Sequence, residues 1–138
     1  MASAHLRTLV LTMSVVTASC RDAASAVVPR TALGTVAKEW LFAHNQGDGH
    51  AMVHYTLGNR GAARMSGAQV DSIVYDGVRF AKAVGPLTPT ALVESSDSSL
   101  TIELRSENGD AWTARFAPAP QPSNVRVRVA VSPSSPPR

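Results

Sequence analysis

Cysteine is almost absent: the chain of 138 residues has one, Cys20. A single cysteine can neither staple a small scaffold nor build a cysteine-rich zinc site. Aromatic residues are scarce, with two Trp, two Tyr and three Phe. That leaves no row of rings on which unpaired bases could stack. Charge is sparse as well. Charged residues make up 17% of the chain and the net charge is +3. A nucleic-acid binder needs a basic stripe, and this charge is too weak and too dispersed to form one. No apolar run reaches the ~20 residues of a permanent membrane-spanning helix. The chain is also too short for a barrel enzyme, which takes about 250 residues. Neither a Gly-x-Ser-x-Gly elbow nor a Ser-x-x-Lys motif occurs, so the familiar serine-nucleophile settings are missing. No cofactor motif stands out.

What is present begins with an address. His5 and Arg7 open a short polar stretch, and Leu9 to Ala18 is an uncharged apolar run. The pair fits the first two regions of an export signal. Two exits follow. Thr17-Ala18-Ser19-Cys20 resembles the lipobox of bacterial lipoproteins, with Thr17 where Leu is usual. Ala24-Ser25-Ala26 fits an ordinary signal-peptidase site. The first exit makes residues 1–19 a lipoprotein-type signal and Cys20 the lipid attachment point. The second places the cut after residue 26. Both imply export: as a lipoprotein, to the periplasm or the outer face of a membrane, and otherwise by secretion. Residues 20–30 read as a tether, 31–132 as the domain and 133–138 as a disordered tail.

Thr31 can cap a helix with Leu33, Val36, Ala37, Trp40, Leu41 and His44 on one stripe, at spacings of three and four. It stops near Gly47, and Asp48 can cap a short second helix through Ala51, Met52 and Tyr55. Gly58-Asn59-Arg60-Gly61 breaks that helix. Ser66 caps a third, with Val70, Ile73, Val74, Gly77, Val78 and Ala81 at helical period. Gly77, on the apolar stripe, reads as a close-packing site. After Gly85-Pro86 the period falls to two. Four strands follow: Leu87 to Ser95, Ser99 to Ser106, one around Trp112, Ala114 and Phe116, and Asn124 to Val131. Asn108-Gly109 marks a hairpin, and Pro118-Ala119-Pro120-Gln121-Pro122 a stiff turn. The expected fold is α+β: N-terminal helices packed on a four-stranded antiparallel sheet.

This order resembles the nuclear-transport-factor-two-like or cystatin-like fold, in which helices and sheet enclose a cone. Several stretches sharpen the likeness: Trp40-Leu41, Asn45-Gln46-Gly47-Asp48, Ala51-Met52, Gly85-Pro86-Leu87, Val93-Glu94-Ser95-Ser96 and the Glu107-to-Trp112 hairpin. Together they are similar to the small domain that precedes the catalytic domain of many bacterial serine hydrolases of beta-lactamase-like type. The resemblance covers roughly residues 31–132. It implies an accessory domain, with no hydrolase residue carried over to this chain. A separately encoded serine hydrolase of the cell envelope is then the expected partner. Oligomeric state is not legible.

Three clusters are candidates for chemistry. His50 and His54 lie four apart on one helical face, and Asp48 could add a third metal ligand. A turn and a helix cap account better for Asp48, however, and the zinc-protease glutamate after His50 is missing. Tyr55, Tyr75 and Asp76 invite comparison with ketosteroid-isomerase-like members of the same fold, which place an acid or base and a hydroxyl inside the cone. This gives the alternative reading, a small cone-pocket enzyme or ligand carrier. Asp71 and Asp76 otherwise belong to a solvated face. Arg105, Arg115, Arg126 and Arg128 project from one sheet face, with Glu103 among them. They could form a docking surface for an acidic partner or lipid headgroups, or simply a solvated face. A cone filled by Trp40, Val74, Trp112 and Phe116 would argue against the pocket enzyme.

Overall fold

The computed structural model describes residues 26–54, 64–120 and 126–134. Helix α1 (Ala32–Gln46) starts where Thr31 accepts a hydrogen bond from the Gly34 N–H at 3.0 Å. The whole expected stripe from Leu33 to His44 is buried. Gly47 ends the helix in the left-handed region, at φ 65°, a conformation that carries no steric cost without a Cβ. Asp48 then caps α2, described over residues 49–54, by accepting from the Ala51 N–H at 3.0 Å. Helix α3 (Gly67–Val84) opens with a reciprocal capping box between Ser66 and Gln69, which satisfies two orphan donors.

Helices α2 and α3 touch closely at two glycines. A Cβ on Gly49 would stand 2.6 Å from the Val74 carbonyl oxygen, and one on Gly77 would stand 3.1 Å from the Met52 sulfur. Gly77 is thus a close-packing site, as its place on the stripe implies. No described helix is long and apolar enough to cross a membrane.

The strands are β1 (Leu87–Ser95), β2 (Leu100–Ser106), β3 (Ala111–Pro118) and β4 (Val127–Pro133). They form one antiparallel meander in chain order. Leu100, Ile102 and Leu104 of β2 and Ala114 and Phe116 of β3 face inward and are buried. Helix α1 covers them, with Trp40 edge-on to Phe116 at 5.9 Å. The β2–β3 loop is a hairpin in which the Ser106 N–H donates to the Asp110 carbonyl, enclosing three residues, of which Gly109 alone takes a positive φ.

The expected cone does not form. The sheet is open and ends in two free edge strands, β1 and β4, which do not pair with each other. Curling a sheet calls for bulges that bend its central strands. Here β2, β3 and β4 pair in unbroken register. The two register shifts lie in edge strand β1, at Pro89/Ala91 and Leu92/Glu94. The chain therefore keeps the coarse architecture of helices on a four-stranded antiparallel sheet, without the closed cavity.

Both ends of the domain reach further than expected. Val28 is 2% exposed and belongs to the core. Strand β4 runs to Pro133, opposite Trp112. Ser134 donates its N–H to the Ala111 carbonyl at 2.9 Å. Cys20, Tyr55, the Gly58-to-Gly61 break, the turn from Gln121, Asn124 and Val125, and residues 135–138 lie outside the described residues.

Candidate functional site

The end of α1 fastens the start of the sheet. Asn45 donates from Nδ2 to the Leu87 carbonyl at 2.9 Å and accepts the Leu87 N–H on Oδ1 at 2.8 Å. One side-chain amide thus does for β1 what a neighbouring backbone would do. His44 lies one residue earlier and is 2% exposed. Its Nε2 is 2.9 Å from the Gly85 carbonyl. A carbonyl only accepts, so Nε2 carries the proton and Nδ1 is the bare nitrogen. Nδ1 is buried and has no hydrogen-bond partner among the described residues. Burial lowers the His44 pKa from the usual imidazole value, while the bond to Gly85 pulls the other way. Desolvation penalises the cation more than one hydrogen bond restores it.

An aromatic cluster extends from this junction toward the other flank. Trp40 stacks on His44 at 5.2 Å. Phe80 of α3 approaches His44 at 5.4 Å and meets Trp112 edge-on at 5.8 Å. The indole N–H of Trp112 is buried and also lacks a partner among the described residues.

On the far side of this cluster the structure leaves a groove of about 650 Å³. Its floor includes Trp40, Met52 and Val53. One wall is α3, through Ile73, Asp76, Gly77 and Phe80. These fall at positions i, i+3, i+4 and i+7, the face of a helix. The other wall is β4, where every residue from Val127 to Val131 takes part. The backbone of α3 lies closer to α1 than to the strands, which it meets through side chains such as Phe80 on Trp112. Ala81 alone is buried on α3, and Ile73 is 37% exposed. The best amphipathic stripe of the chain is therefore only half covered.

Asp76 and Arg128 bring one charge of each sign to the groove, and both are exposed at its rim. Tyr75, 65% exposed, lies outside the groove. Trp40, Trp112 and Phe116 fill the interior beneath α1, while Val74 is half-buried against Gly49. Among the described residues the ketosteroid-isomerase-like cone pocket has no counterpart, because the open sheet does not enclose one.

The remaining candidates are spread out. His50 and His54 are exposed, and Asp48 spends an oxygen on its cap. Among the described residues no three His, Cys, Asp or Glu gather as metal ligands would. Arg105, Arg115 and Arg128 share the outer sheet face, where each sits opposite an uncharged residue: Ala111, Thr101 and Ala117. Arg105 and Arg128 are six β3 positions apart, about 20 Å at strand rise. Arg115 also donates to the Ser99 hydroxyl at 3.2 Å. Arg126 lies just before β4, its carbonyl taken by the Ala119 N–H.

No protein-family model, no curated protein and no solved structure matches this chain.

Sequence reasoning missed Phe80, Gly49 and the groove itself. The signal for Phe80 was available: it extends the Ile73–Gly77 row by one more step of the helical period.

Proposed function

We propose that the chain is an exported, lipid-anchored binding domain of the bacterial cell envelope, with Cys20 as its lipid attachment point and no catalysis of its own. The groove between α3 and β4 carries the binding part of this reading, and the Thr17-Ala18-Ser19-Cys20 stretch the anchor. A half-covered apolar helix face beside a strand edge is the usual form of an interaction site. The accessory-domain resemblance rests on its sequence motifs, two of which, Asn45 and Gly85-Pro86-Leu87, meet at the clamp between α1 and β1. On this reading the partner is an envelope protein such as a separately encoded serine hydrolase.

Two experiments test the two halves. Cys20→Ser should abolish lipid labelling and membrane association of the expressed chain. A variant that still fractionates with membranes rules out the lipid anchor. For the groove, an environment-sensitive apolar dye should brighten on the full chain and lose that response in Ile73→Glu, at a site that is 37% exposed. An unchanged response in a folded Ile73→Glu variant places the binding elsewhere.

A further inference from the structure

The hydrogen-bond parity of β4 specifies what the groove can hold. Ser134 donates to Ala111, and Ala119 donates to the Arg126 carbonyl. These pairs continue the β3–β4 register, Trp112↔Pro133 to Pro118↔Val127, by one position at either end. Opposed residues in an antiparallel ladder alternate between bonded and non-bonded pairs. Arg128, Ala130 and Ser132 therefore bond to β3. Val127, Val129 and Val131 direct their N–H and C=O groups to the free edge. Their side chains face inward, while those of Arg128 and Ala130 face out. A groove lined by all five residues thus wraps the edge of the strand, since successive side chains point to opposite faces.

Extending the proposed binding role, we propose that the groove is a strand-addition site: an extended partner peptide pairs with the free edge of β4 and is walled by α3. The occupant is a short segment that alternates apolar with polar residues and lacks proline in its core. Its N–H and C=O groups meet those of Val127, Val129 and Val131. Its apolar side chains lie against Ile73 and Phe80. A basic residue reaches Asp76 and an acidic one reaches Arg128. Neither of these charges has an ion-pair partner among the described residues, so both are free to meet complementary ones. An acyl chain would fill the same apolar space but leave the backbone edge unpaired. A second copy of the chain would bring β3 in behind its own β4, where α3 already forms the wall. Strand addition supplies affinity through the backbone and specificity through alternate side chains.

The test is fluorescence anisotropy on the full chain. The probe is a labelled, end-blocked peptide alternating valine with threonine, with lysine at one end and glutamate at the other. The peptide should bind. Val129→Pro removes an edge donor that β3 does not use, and should weaken binding at least about tenfold. Val129→Ala keeps the N–H and should change affinity less than about threefold. A second reading uses the unaltered chain: methylating the peptide nitrogens that face β4 should abolish binding, and methylating the opposite set should not. Equal binding of Val129→Pro and of both methylated peptides overturns strand addition. Binding of a fluorescent fatty acid without the peptide also overturns it, but leaves the groove as a ligand site. If neither binds, the groove reading falls with it. Self-association that Val129→Pro abolishes replaces the partner peptide with a second copy.

Discussion

The two flanks of the sheet are built to opposite ends. On the β1 flank, Asn45 pairs with both polar groups of Leu87, and His44 holds Gly85. Two register shifts interrupt that edge, and Pro89 lies within it. Irregular edges with proline discourage further pairing. On the β4 flank the register is unbroken from Val127 to Pro133. Helix α3 meets the sheet through Phe80 on Trp112, and beside that contact a groove runs along the strand. One flank is fastened and blunted; the other is regular and uncovered. The core draws most heavily on α1, adds Met52 of α2 and Ala81 of α3, and leaves the rest of the α3 apolar face half covered.

The largest predicted effects contrast the same residue type across the two regions. Phe116, 1% exposed in the core, should cost ~3–5 kcal/mol as Phe116→Ala. Phe80, half-buried on α3, should cost about 2 kcal/mol as Phe80→Ala, from partial loss of apolar burial. Urea unfolding of the two variants measures both. Equal losses would mean that α3 is as firmly packed as the core.

Next in size is the clamp. Asn45→Ala leaves the Leu87 N–H and carbonyl without partners, which should cost about 2–3 kcal/mol. Amide exchange at Leu87 should rise with it. A loss within ~0.5 kcal/mol, the range of a neutral surface substitution, would show that β1 is held by packing alone.

The ends of the helices and the inward faces of the strands were legible on both flanks. Thr31, Asp48 and Ser66 were readable as caps because each is a short polar side chain just before an apolar periodic run. Gly47 was readable as a stop. The strands followed from alternation, and Leu100, Ile102 and Leu104 did turn inward. That one flank stays open was not legible. Periodicity reports which residues of α3 share a face, not whether that face finds a cover. The cone failed for a related reason: alternation marks strands, but curling depends on bulges in β2 and β3 that alternation does not encode. Val28 was hidden among residues that read as tether. Pro133 suggested an earlier end to β4, yet an outward-facing edge position needs no N–H for β3.

Proline scanning along β4 should give a smaller, alternating pattern. Ala130→Pro breaks a bond to β3 and should cost about 2 kcal/mol. Val129→Pro spares the ladder and should cost about 1 kcal/mol or less, from lost valine packing. Thermal melts of the two proteins read the difference. Equal costs would contradict the assigned parity.

The smallest effect is a pH dependence from the fastened flank. The folded-state pKa of His44 is lowered by burial, so the unfolded chain binds its proton first as pH falls. Stability should be full above about 6.5, the unfolded imidazole value. It should decline as pH drops from there toward the folded-state pKa. Urea midpoints across this range should show the slope, and His44→Phe should remove it. A slope unchanged in His44→Phe would assign the titration to another group.

The most direct test of the open β4 edge is native-state amide exchange, residue by residue along the strand. With no ligand present, Val129 and Val131 should exchange fast while Ala130 and Ser132 are protected through their bonds to β3. Uniform protection from Val127 to Ser132 would contradict the account, because it would mean that the edge is already covered.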